Sequence, residues 1–233
     1  MSREAGHLQV ALVGATGAVG REMLETLAQR RFPVASLRAF ASSRSAGEAI
    51  DFGDATVVVE DLNALEDYSG FDLVLFSAGA QTSLDHAPQF AKTGAYVVDN
   101  SSAWRSHKNV PLVVPEINAD ALDGADLKMV AVPNCSTIAL VQTLAPLHRA
   151  ARVKRVVVST YQSVSGAGRK GMDEMEQQVR HLLNGIAPEQ EVFSHRIAFN
   201  CLPLIGDPDD DGFTGEEKKL MSETQRILND DQV

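Results

Sequence analysis

Leu8-Gln9-Val10-Ala11-Leu12-Val13-Gly14-Ala15-Thr16-Gly17-Ala18-Val19-Gly20 joins a short apolar run to a turn that contains three glycines. Val19, Met23, Leu24 and Leu27 fall at helical spacing, so the stretch predicts a strand, a tight turn and a helix. Glycines in such a turn let the backbone approach a pyrophosphate, whose charge is stabilised at the helix N-terminus. The spacing G-x-x-G-x-x-G differs from the commoner G-x-G-x-x-G. A tight turn without a ligand is therefore the alternative.

A polar stretch after the second predicted strand indicates which dinucleotide, NAD or NADP, the protein would bind. Pro33 ends the first helix, and a second strand is expected from Ser36 to Ala41, directly before Ser42-Ser43-Arg44-Ser45. Many NAD-binding proteins carry an acidic residue at this point for the ribose hydroxyls. An arginine flanked by hydroxyls suits a 2′-phosphate instead. Arg44 and Ser45 therefore favour NADP over NAD, with a solvated polar loop as the alternative.

Strand and helix patterns continue to alternate after this loop. Phe71–Ala80 resembles a buried strand that ends in small residues, a helix is expected from about Ser83 to Lys92, and a strand from Ala95 to Asp99. The alternation predicts a doubly wound parallel sheet, a Rossmann-type α/β fold. Because ligands of such sheets lie beyond the carboxyl ends of the strands, Ala78 and Gly79 are expected to approach the cofactor.

The stretch Val130–Leu140 places a cysteine where a helix is expected to begin. An apolar run ends at Pro133, and a helical pattern starts with Cys135 in its first turn. The unpaired N–H groups of that turn and the positive end of the helix dipole both favour thiolate over thiol. Cys135 is therefore predicted to be a nucleophile, and an inert buried cysteine is the alternative.

Arg105 follows the strand that ends at Asp99 and is expected at the carboxyl edge of the sheet. Its guanidinium fork suits a phosphate or a carboxylate there, and an ordinary surface arginine is the alternative. From Ala151 to Val164 the pattern predicts a longer, partly alternating strand, which suggests a new domain with a one-sided sheet. We therefore predict a dinucleotide-binding domain over residues 1–132 and a second domain over residues 133–233.

Composition narrows the class of protein. The 233 residues carry 21 basic and 31 acidic side chains, a net charge of −10, which argues against nucleic acid or an anionic membrane as the main partner. The two cysteines, Cys135 and Cys201, form no disulfide framework, so a reducing cytoplasm is expected. The sequence shows no Cys/His cluster at metal-ligand spacing, no signal-peptide core and no run of membrane-spanning length.

Taken together, several stretches resemble the aspartate-β-semialdehyde dehydrogenase family. The matching motifs keep their order and spacing over essentially the whole chain; they are Gly14–Gly20, Ser42–Ser45, Asp99–Arg105, Pro133–Ile138, Thr160–Gly168, Ile197–Asn200 and Glu216–Leu228. The resemblance implies a Rossmann domain followed by part of an α+β catalytic domain like that of glyceraldehyde-3-phosphate dehydrogenase. It also implies assembly as homodimers or homotetramers.

The resemblance implies NADPH-dependent reductive dephosphorylation of L-aspartyl-4-phosphate to L-aspartate 4-semialdehyde, with release of phosphate. This reaction belongs to the biosynthesis of lysine, threonine, methionine and diaminopimelate. In the family pattern Cys135 attacks the acyl phosphate to form a thioester, and Gln162 orients the substrate. The residues implied in substrate or phosphate binding are Arg105, Asn134, Glu216 and Lys219. The residues expected to bind the cofactor are Gly14, Thr16, Gly17, Ala18, Val19, Arg44, Ser45, Ala78, Gly79, Ser165 and Gly166.

One part of the family pattern has no match in this sequence. The resemblance implies an arginine that binds the substrate carboxylate and a histidine that serves as acid and base, yet none of the six histidines stands in the expected context. We therefore expect a C-terminally truncated chain with impaired turnover. One alternative is a non-catalytic product that binds NADP or pairs with full-length subunits. Another is a related acyl-phosphate reductase such as N-acetylglutamyl-phosphate reductase, against which the context Pro133–Thr137 argues.

Overall fold

The computed structural model describes residues 7–123 and 128–233 of the chain. The strands of these ranges are β1 (Leu8–Val13), β2 (Val34–Ala41), β3 (Ala49–Phe52), β4 (Ala55–Asp61), β5 (Leu73–Phe76), β6 (Tyr96–Asp99) and β7 (Met129–Ala131). The helices of the same ranges are α1 (Ala18–Gln29), α2 (Ala80–Lys92), α3 (Pro115–Asn118), α4 (Cys135–Ala151), α5 (Gly168–Leu183) and α6 (Gly215–Leu228).

The strands form one sheet in the order β3-β4-β2-β1-β5-β6-β7. Neighbouring strands are parallel except β3 and β4, which pair antiparallel at one edge. This confirms the Rossmann-type doubly wound sheet; β3 is an addition that the sequence patterns did not predict. The strand order reverses between β1 and β5, and ligands of such sheets bind in the crevice beyond the carboxyl ends of those two strands.

Both faces of the sheet are covered by helices. Successive residues of a strand point to opposite faces, and Leu12 and Val13 accordingly belong to two separate buried clusters. Leu12 packs in the cluster that contains Leu24 of α1. Val13 packs in the cluster that contains Phe90 of α2 and Val141 of α4. The near-continuous apolar strands of the sequence are therefore explained by burial on both sides.

The chain packs as two compact units. The first comprises the residues up to Lys154 together with Glu223–Val233, and the second comprises Arg155–Ser222. Helix α4, with Cys135 at its start, belongs to the first unit. The limits of these two units differ from the domain boundary expected near Val132. That boundary concerns the roles of the two segments, and it stays a prediction.

The long strand expected from Ala151 to Val164 is not formed, and this prediction was wrong for the chain as described. Ala151 ends α4, and residues 152–163 have no regular structure before a short 3-10 turn, Val164–Ala167. Val157 and Tyr161 in this segment are exposed. A strand requires a neighbour for its backbone hydrogen bonds, and no strand of the described residues pairs with it. The sequence of this segment therefore has the alternating pattern of a strand but, among the described residues, no neighbouring strand to accept its backbone hydrogen bonds.

Replacing Glu60 by glutamine is expected to cause a small, pH-dependent loss of stability. Arg38 of β2 donates to both carboxylate oxygens of Glu60 of β4, at 2.8 Å and 2.6 Å, and these hydrogen bonds lower the pKa of Glu60. The stabilisation is therefore present above the unfolded-state pKa and is lost as the pH falls through the folded-state pKa. The pair is more than one-third exposed, so the loss at neutral pH should stay below about 1 kcal/mol.

Urea unfolding of the wild type and of Glu60→Gln, at neutral pH and along an acid series, measures this difference. The matched control is Glu66→Gln, because Glu66 is exposed and has no ion pair among the described residues. A difference between wild type and Glu60→Gln that persists unchanged in acid would contradict the assignment to the carboxylate.

Candidate active site

The glycine turn is packed tightly against the end of β5 and against itself. Gly14 has a φ of +87°, and a Cβ at this position would lie 2.6 Å from the carbonyl carbon of Ser77. A Cβ at Gly20 would lie 2.9 Å from the Cα of Ala15. Both obstacles are backbone atoms, so only glycine fits at these two positions. The close packing places the first turn of α1 at the point where the strand order reverses.

The backbone of this turn fits a pyrophosphate. Ala18 and Val19 open α1, so their N–H groups lack carbonyl acceptors within the helix. The first turn of α1 carries no acidic side chain, and the positive end of the helix dipole therefore meets no carboxylate of its own turn. Gly79, after β5, has a φ of +86°, and a Cβ there would meet nothing within 4 Å. Ala78 and Gly79 thus lie at the same carboxyl edge of the sheet as the glycine turn.

The predicted 2′-phosphate residues lie beside the glycine turn. Arg44 and Ser45 belong to a 3-10 turn, Ser43–Ser45, that follows β2. The Oγ1 of Thr16 donates to the Oγ of Ser45 at 3.4 Å, which joins this turn to the glycine turn. Arg44 is exposed, and among the residues that the structure describes no carboxylate pairs with it. Its guanidinium is therefore available to an anionic ligand.

Cys135 is the first residue of α4, directly after the N-cap residue Asn134. The predicted position at a helix N-terminus is confirmed, and the thiol is free and exposed, so the alternative of a buried cysteine is wrong, while the role of Cys135 as nucleophile stays a prediction. The Oδ1 of Asn134 lies 3.8 Å from the Sγ of Cys135, while its Nδ2 donates to the Oγ of Ser136 at 2.8 Å. The amide side chain of Asn134 therefore lies directly beside the thiol.

Arg105 is oriented by three hydrogen bonds. Its Nε donates to the carbonyl of Ser101 at 3.1 Å, its Nη2 to the carbonyl of Asn100 at 3.0 Å, and its Nη1 to the Oε1 of Glu223 at 3.4 Å. A guanidinium carries five N–H donors. Within the described ranges, one N–H on each Nη thus has no partner. Free N–H donors on a planar cation suit a phosphate or a carboxylate.

Glu223 contacts two of the predicted site residues, Asn134 and Arg105, and the sequence patterns did not predict it. Its side chain is buried, and its Oε2 accepts the backbone N–H of Asn134 at 2.7 Å. A sequence signal for it exists on α6, since Leu220 and Ile227 are two turns apart and define a buried face. Glu223 falls on that face between them, and a charged residue on an apolar helix face is expected to be buried and partnered.

Three predicted residues of the second unit are brought together. The Nε2 of Gln162 donates to the Oε1 of Glu216 at 3.0 Å, and the Nζ of Lys219 lies 3.3 Å from the Oε2 of Glu216. The carboxylate of Glu216 thus orients both the amide and the ammonium group. Ser165 and Gly166, expected to face the cofactor, lie in the exposed 3-10 turn of the same unit.

The loop that carries Arg105 rests on a buried carboxylate. Asp99, at the end of β6, is 1% exposed. It accepts from the backbone N–H of Ser101 at 2.5 Å and from the hydroxyl of Ser83. The Nε1 of Trp104 in turn donates to the Oγ of Ser83 at 2.9 Å. The Asn100–Arg105 loop is therefore tied to α2 through the buried side chain of Ser83.

Replacing Ser83 by alanine is expected to lower the free energy of unfolding by about 1–2 kcal/mol, because it removes a buried hydrogen bond and leaves the indole N–H of Trp104 unpaired. Trp104 is the only tryptophan, so its fluorescence should shift to longer wavelength as the loop opens. The matched control is Thr82→Ala, the preceding residue of α2, whose hydroxyl has no hydrogen-bond partner in the described part of the chain. Equal stability and emission in the two variants would contradict the role of Ser83.

A metal site and a membrane span each have requirements that the described residues would have to meet. In these ranges no three side chains of His, Cys, Asp or Glu are arranged to hold a metal ion. No helix there has both the length and the apolar character needed to cross a bilayer.

A Rossmann-type sheet with a glycine turn at its switch point is typical of dinucleotide-binding proteins, dehydrogenases among them. The family described as "Semialdehyde dehydrogenase, NAD binding domain" matches residues 9–125, and the family described as "Semialdehyde dehydrogenase, dimerisation domain" matches residues 144–233. Among relatives, an aspartate-semialdehyde dehydrogenase of Aquifex aeolicus is 47% identical over 227 residues, covering 97% of this chain and 67% of its own length. The chain belongs to the aspartate-semialdehyde dehydrogenase family, as the motifs predicted.

Solved structures agree with this assignment. The chain matches the crystal structure of aspartate semialdehyde dehydrogenase II from Vibrio cholerae with a TM-score of 0.93 and 45% identity, over 97% of this chain and 68% of that one. A Candida albicans aspartate semialdehyde dehydrogenase with NADP matches with a TM-score of 0.68 and 25% identity, over 97% and 60% of the two chains. This chain thus spans between 60% and 68% of the length of these relatives.

Proposed function

We propose that the chain catalyses the NADPH-dependent reductive dephosphorylation of L-aspartyl-4-phosphate to L-aspartate 4-semialdehyde through a thioester on Cys135. One observation carries the proposal: an exposed thiol in the first turn of α4, connected through Glu223 to a guanidinium with two free N–H donors. A nucleophile and a cation for the leaving group are what acyl transfer from an acyl phosphate requires. The family relationship supports the same substrate class, on the route to lysine, threonine, methionine and diaminopimelate.

In the proposed reaction the Sγ of Cys135 bonds to the acyl carbon, and the bond from that carbon to the phosphate oxygen breaks. Negative charge develops on the departing phosphate, and cations placed there stabilise it. We assign this role to Arg105, through its two free donors, and to Lys219. Glu216 is assigned to the amino group of the substrate, and Asn134, beside the thiol, to substrate binding.

Gln162 is assigned to orienting the substrate. Its Nε2 is held by Glu216, while its Oε1 accepts from the Oγ1 of Thr160 at 2.9 Å. The amide group is therefore fixed at both ends before substrate binds. Fixing a polar group in advance removes the cost of ordering it during the reaction.

The residues around the glycine turn fit a nicotinamide dinucleotide. The first-turn N–H groups of α1 would hold the pyrophosphate, Arg44 and Ser45 the 2′-phosphate of NADP, and Ala78 and Gly79 would leave room for the cofactor at the sheet edge. Ser165 and Gly166, in an open turn of small residues, are assigned to the nicotinamide side. When bound, NADPH supplies the hydride that reduces the thioester to the aldehyde.

The test is phosphate-dependent reduction of NADP⁺ by aspartate semialdehyde, followed at the nicotinamide absorbance, with NAD⁺ and N-acetylglutamate semialdehyde as the comparison cofactor and substrate. We expect turnover that requires phosphate and prefers NADP⁺ and aspartate semialdehyde. Preference for the acetylated substrate would favour N-acetylglutamyl-phosphate reductase instead.

A second candidate is a non-catalytic chain that binds NADP or pairs with full-length subunits. The sequence motifs leave this alternative open beside the catalytic one. A folded chain that binds NADPH but shows no turnover would support this second candidate. The segment matched as a dimerisation domain supports a homodimer or homotetramer in either case, and light scattering measures that assembly.

A further inference from the structure

Glu223 holds two groups of the proposed site with its two carboxylate oxygens. The Oε2 accepts the backbone N–H of Asn134 at 2.7 Å, and the Oε1 accepts from the Nη1 of Arg105 at 3.4 Å. Glu223 is 4% exposed, so both interactions are made away from water, where an unpartnered charge is costly. One carboxylate therefore joins the residue before the nucleophile to the cation assigned to the phosphate.

Arg226, one turn further along α6, holds the backbone of the same arginine. Its Nη1 donates to the carbonyl of Arg105, and its Nη2 donates to the carbonyls of His107 and Val110 at 3.0 Å and 2.7 Å. Burial lowers the pKa of Arg226, as expected of a cation paired with carbonyls rather than with a carboxylate. Arg105 is thus held at its backbone by Arg226 and at its guanidinium by Glu223.

We infer that Glu223 is a positioning residue that fixes the guanidinium of Arg105 relative to the amide preceding Cys135 and balances its charge in the free protein. The inference rests on the proposed function for its catalytic meaning. The chemistry of the residue is specific, because both neighbours are N–H donors and a carboxylate offers an acceptor to each. Glutamine has one acceptor and would turn its NH₂ group toward one of the donors.

The charge balance can be measured without turnover. Iodoacetate and iodoacetamide react with the same thiolate, so the ratio of their alkylation rates at Cys135 cancels the thiolate fraction and reports the local electrostatic field. Glu223→Gln leaves Arg105 without its counter-charge and should raise the iodoacetate-to-iodoacetamide ratio about fivefold. Arg105→Gln leaves the carboxylate uncompensated and should lower the ratio by a similar factor. Both are made in a Cys201→Ser background, because Cys201 is also exposed.

The matched control is Thr224→Val, the next residue of α6. Thr224 is as buried as Glu223, and its Oγ1 has no hydrogen-bond partner among the described residues, so the change disturbs the same helix without touching Arg105 or Asn134. We expect its ratio to equal that of the parent. Glu223→Asp keeps the charge and both acceptors, and its ratio should stay close to the parent value.

Turnover gives the second readout. Glu223→Gln should lower kcat/KM by about 10- to 100-fold, with a raised KM for phosphate, because the guanidinium is displaced from the nucleophile. Glu223→Asp should recover part of the loss, and Thr224→Val should lose none. If Glu223 were only a structural residue, its replacement would not raise the KM for phosphate specifically.

An unchanged alkylation ratio in folded Glu223→Gln, checked by circular dichroism, would overturn the inference whether or not the chain turns over. If Glu223→Gln fails to fold, an Arg105→Gln ratio that does not fall would overturn it equally. If the alkylation ratios change as expected but the parent chain shows no turnover, the proposed function would be wrong and the positioning role of Glu223 would stand.

Discussion

Replacing Cys135 by serine is expected to abolish turnover, with kcat lowered about 10⁴-fold or more. Serine keeps the size and position of the side chain at the start of α4 but supplies a hydroxyl, a weaker nucleophile, in place of a thiol. The helix N-terminus can stabilise an anion there, but it does not supply the base that a hydroxyl nucleophile needs for activation. The acyl-transfer step should therefore fail while the fold is kept.

The measurement is the phosphate-dependent assay, together with NADPH binding by fluorescence titration. Because Cys135→Ser changes no residue of the glycine turn, NADPH affinity should equal that of the wild type. Cys201→Ser is the matched control, since Cys201 is exposed and unpaired as well, and it should retain full activity. Activity of Cys135→Ser above about one hundredth of the wild type would rule out the thioester route.

Replacing Gly20 by alanine is expected to destabilise the fold by about 3 kcal/mol and to remove NADPH binding. The new Cβ would lie 2.9 Å from the Cα of Ala15 and against the carbonyl oxygen of Gly14. Backbone cannot rotate away as a side chain can, so the loss should lie at the upper end of the range for overpacking, about 1–3 kcal/mol. Alanine has a helix propensity about 1 kcal/mol better than glycine, and this gain is too small to offset the clash.

Urea unfolding and NADPH titration of Gly20→Ala measure the two effects. Gly215→Ala is the matched control for stability, because Gly215 opens α6 and its Cβ would meet nothing within 4 Å. It should be neutral or stabilising by less than about 1 kcal/mol, since it restricts the unfolded chain. Equal stability of the two variants would mean that the glycine turn accommodates a side chain at Gly20, which would contradict the close packing.

Most of the first unit could be predicted from local patterns. Helix α1 begins one residue before Val19, and β5 and β6 lie inside the expected runs, because apolar spacing and the glycine turn act within a few neighbouring residues. Edge strand β3 was missed, since the apolar alternation of Ile50-Asp51-Phe52 is too short to predict a strand and the strand depends on pairing with β4. The strand predicted for Ala151–Val164 was wrong for the converse reason. Its sequence pattern is strand-like, but the described residues supply no neighbouring strand to pair with it.

The sequence by itself determined the Rossmann-type fold, the place of Cys135 in the first turn of a helix and the i,i+3 neighbours Glu216 and Lys219, because each depends on residues close together in the chain. Only the tertiary structure decided which distant groups meet. Glu223 lies 89 residues from Asn134 and 118 residues from Arg105, and no periodicity specifies a contact over such separations. The tertiary packing that buries one face of α6 brings its carboxylate to both donors, because a buried charge is stable only where partners meet it.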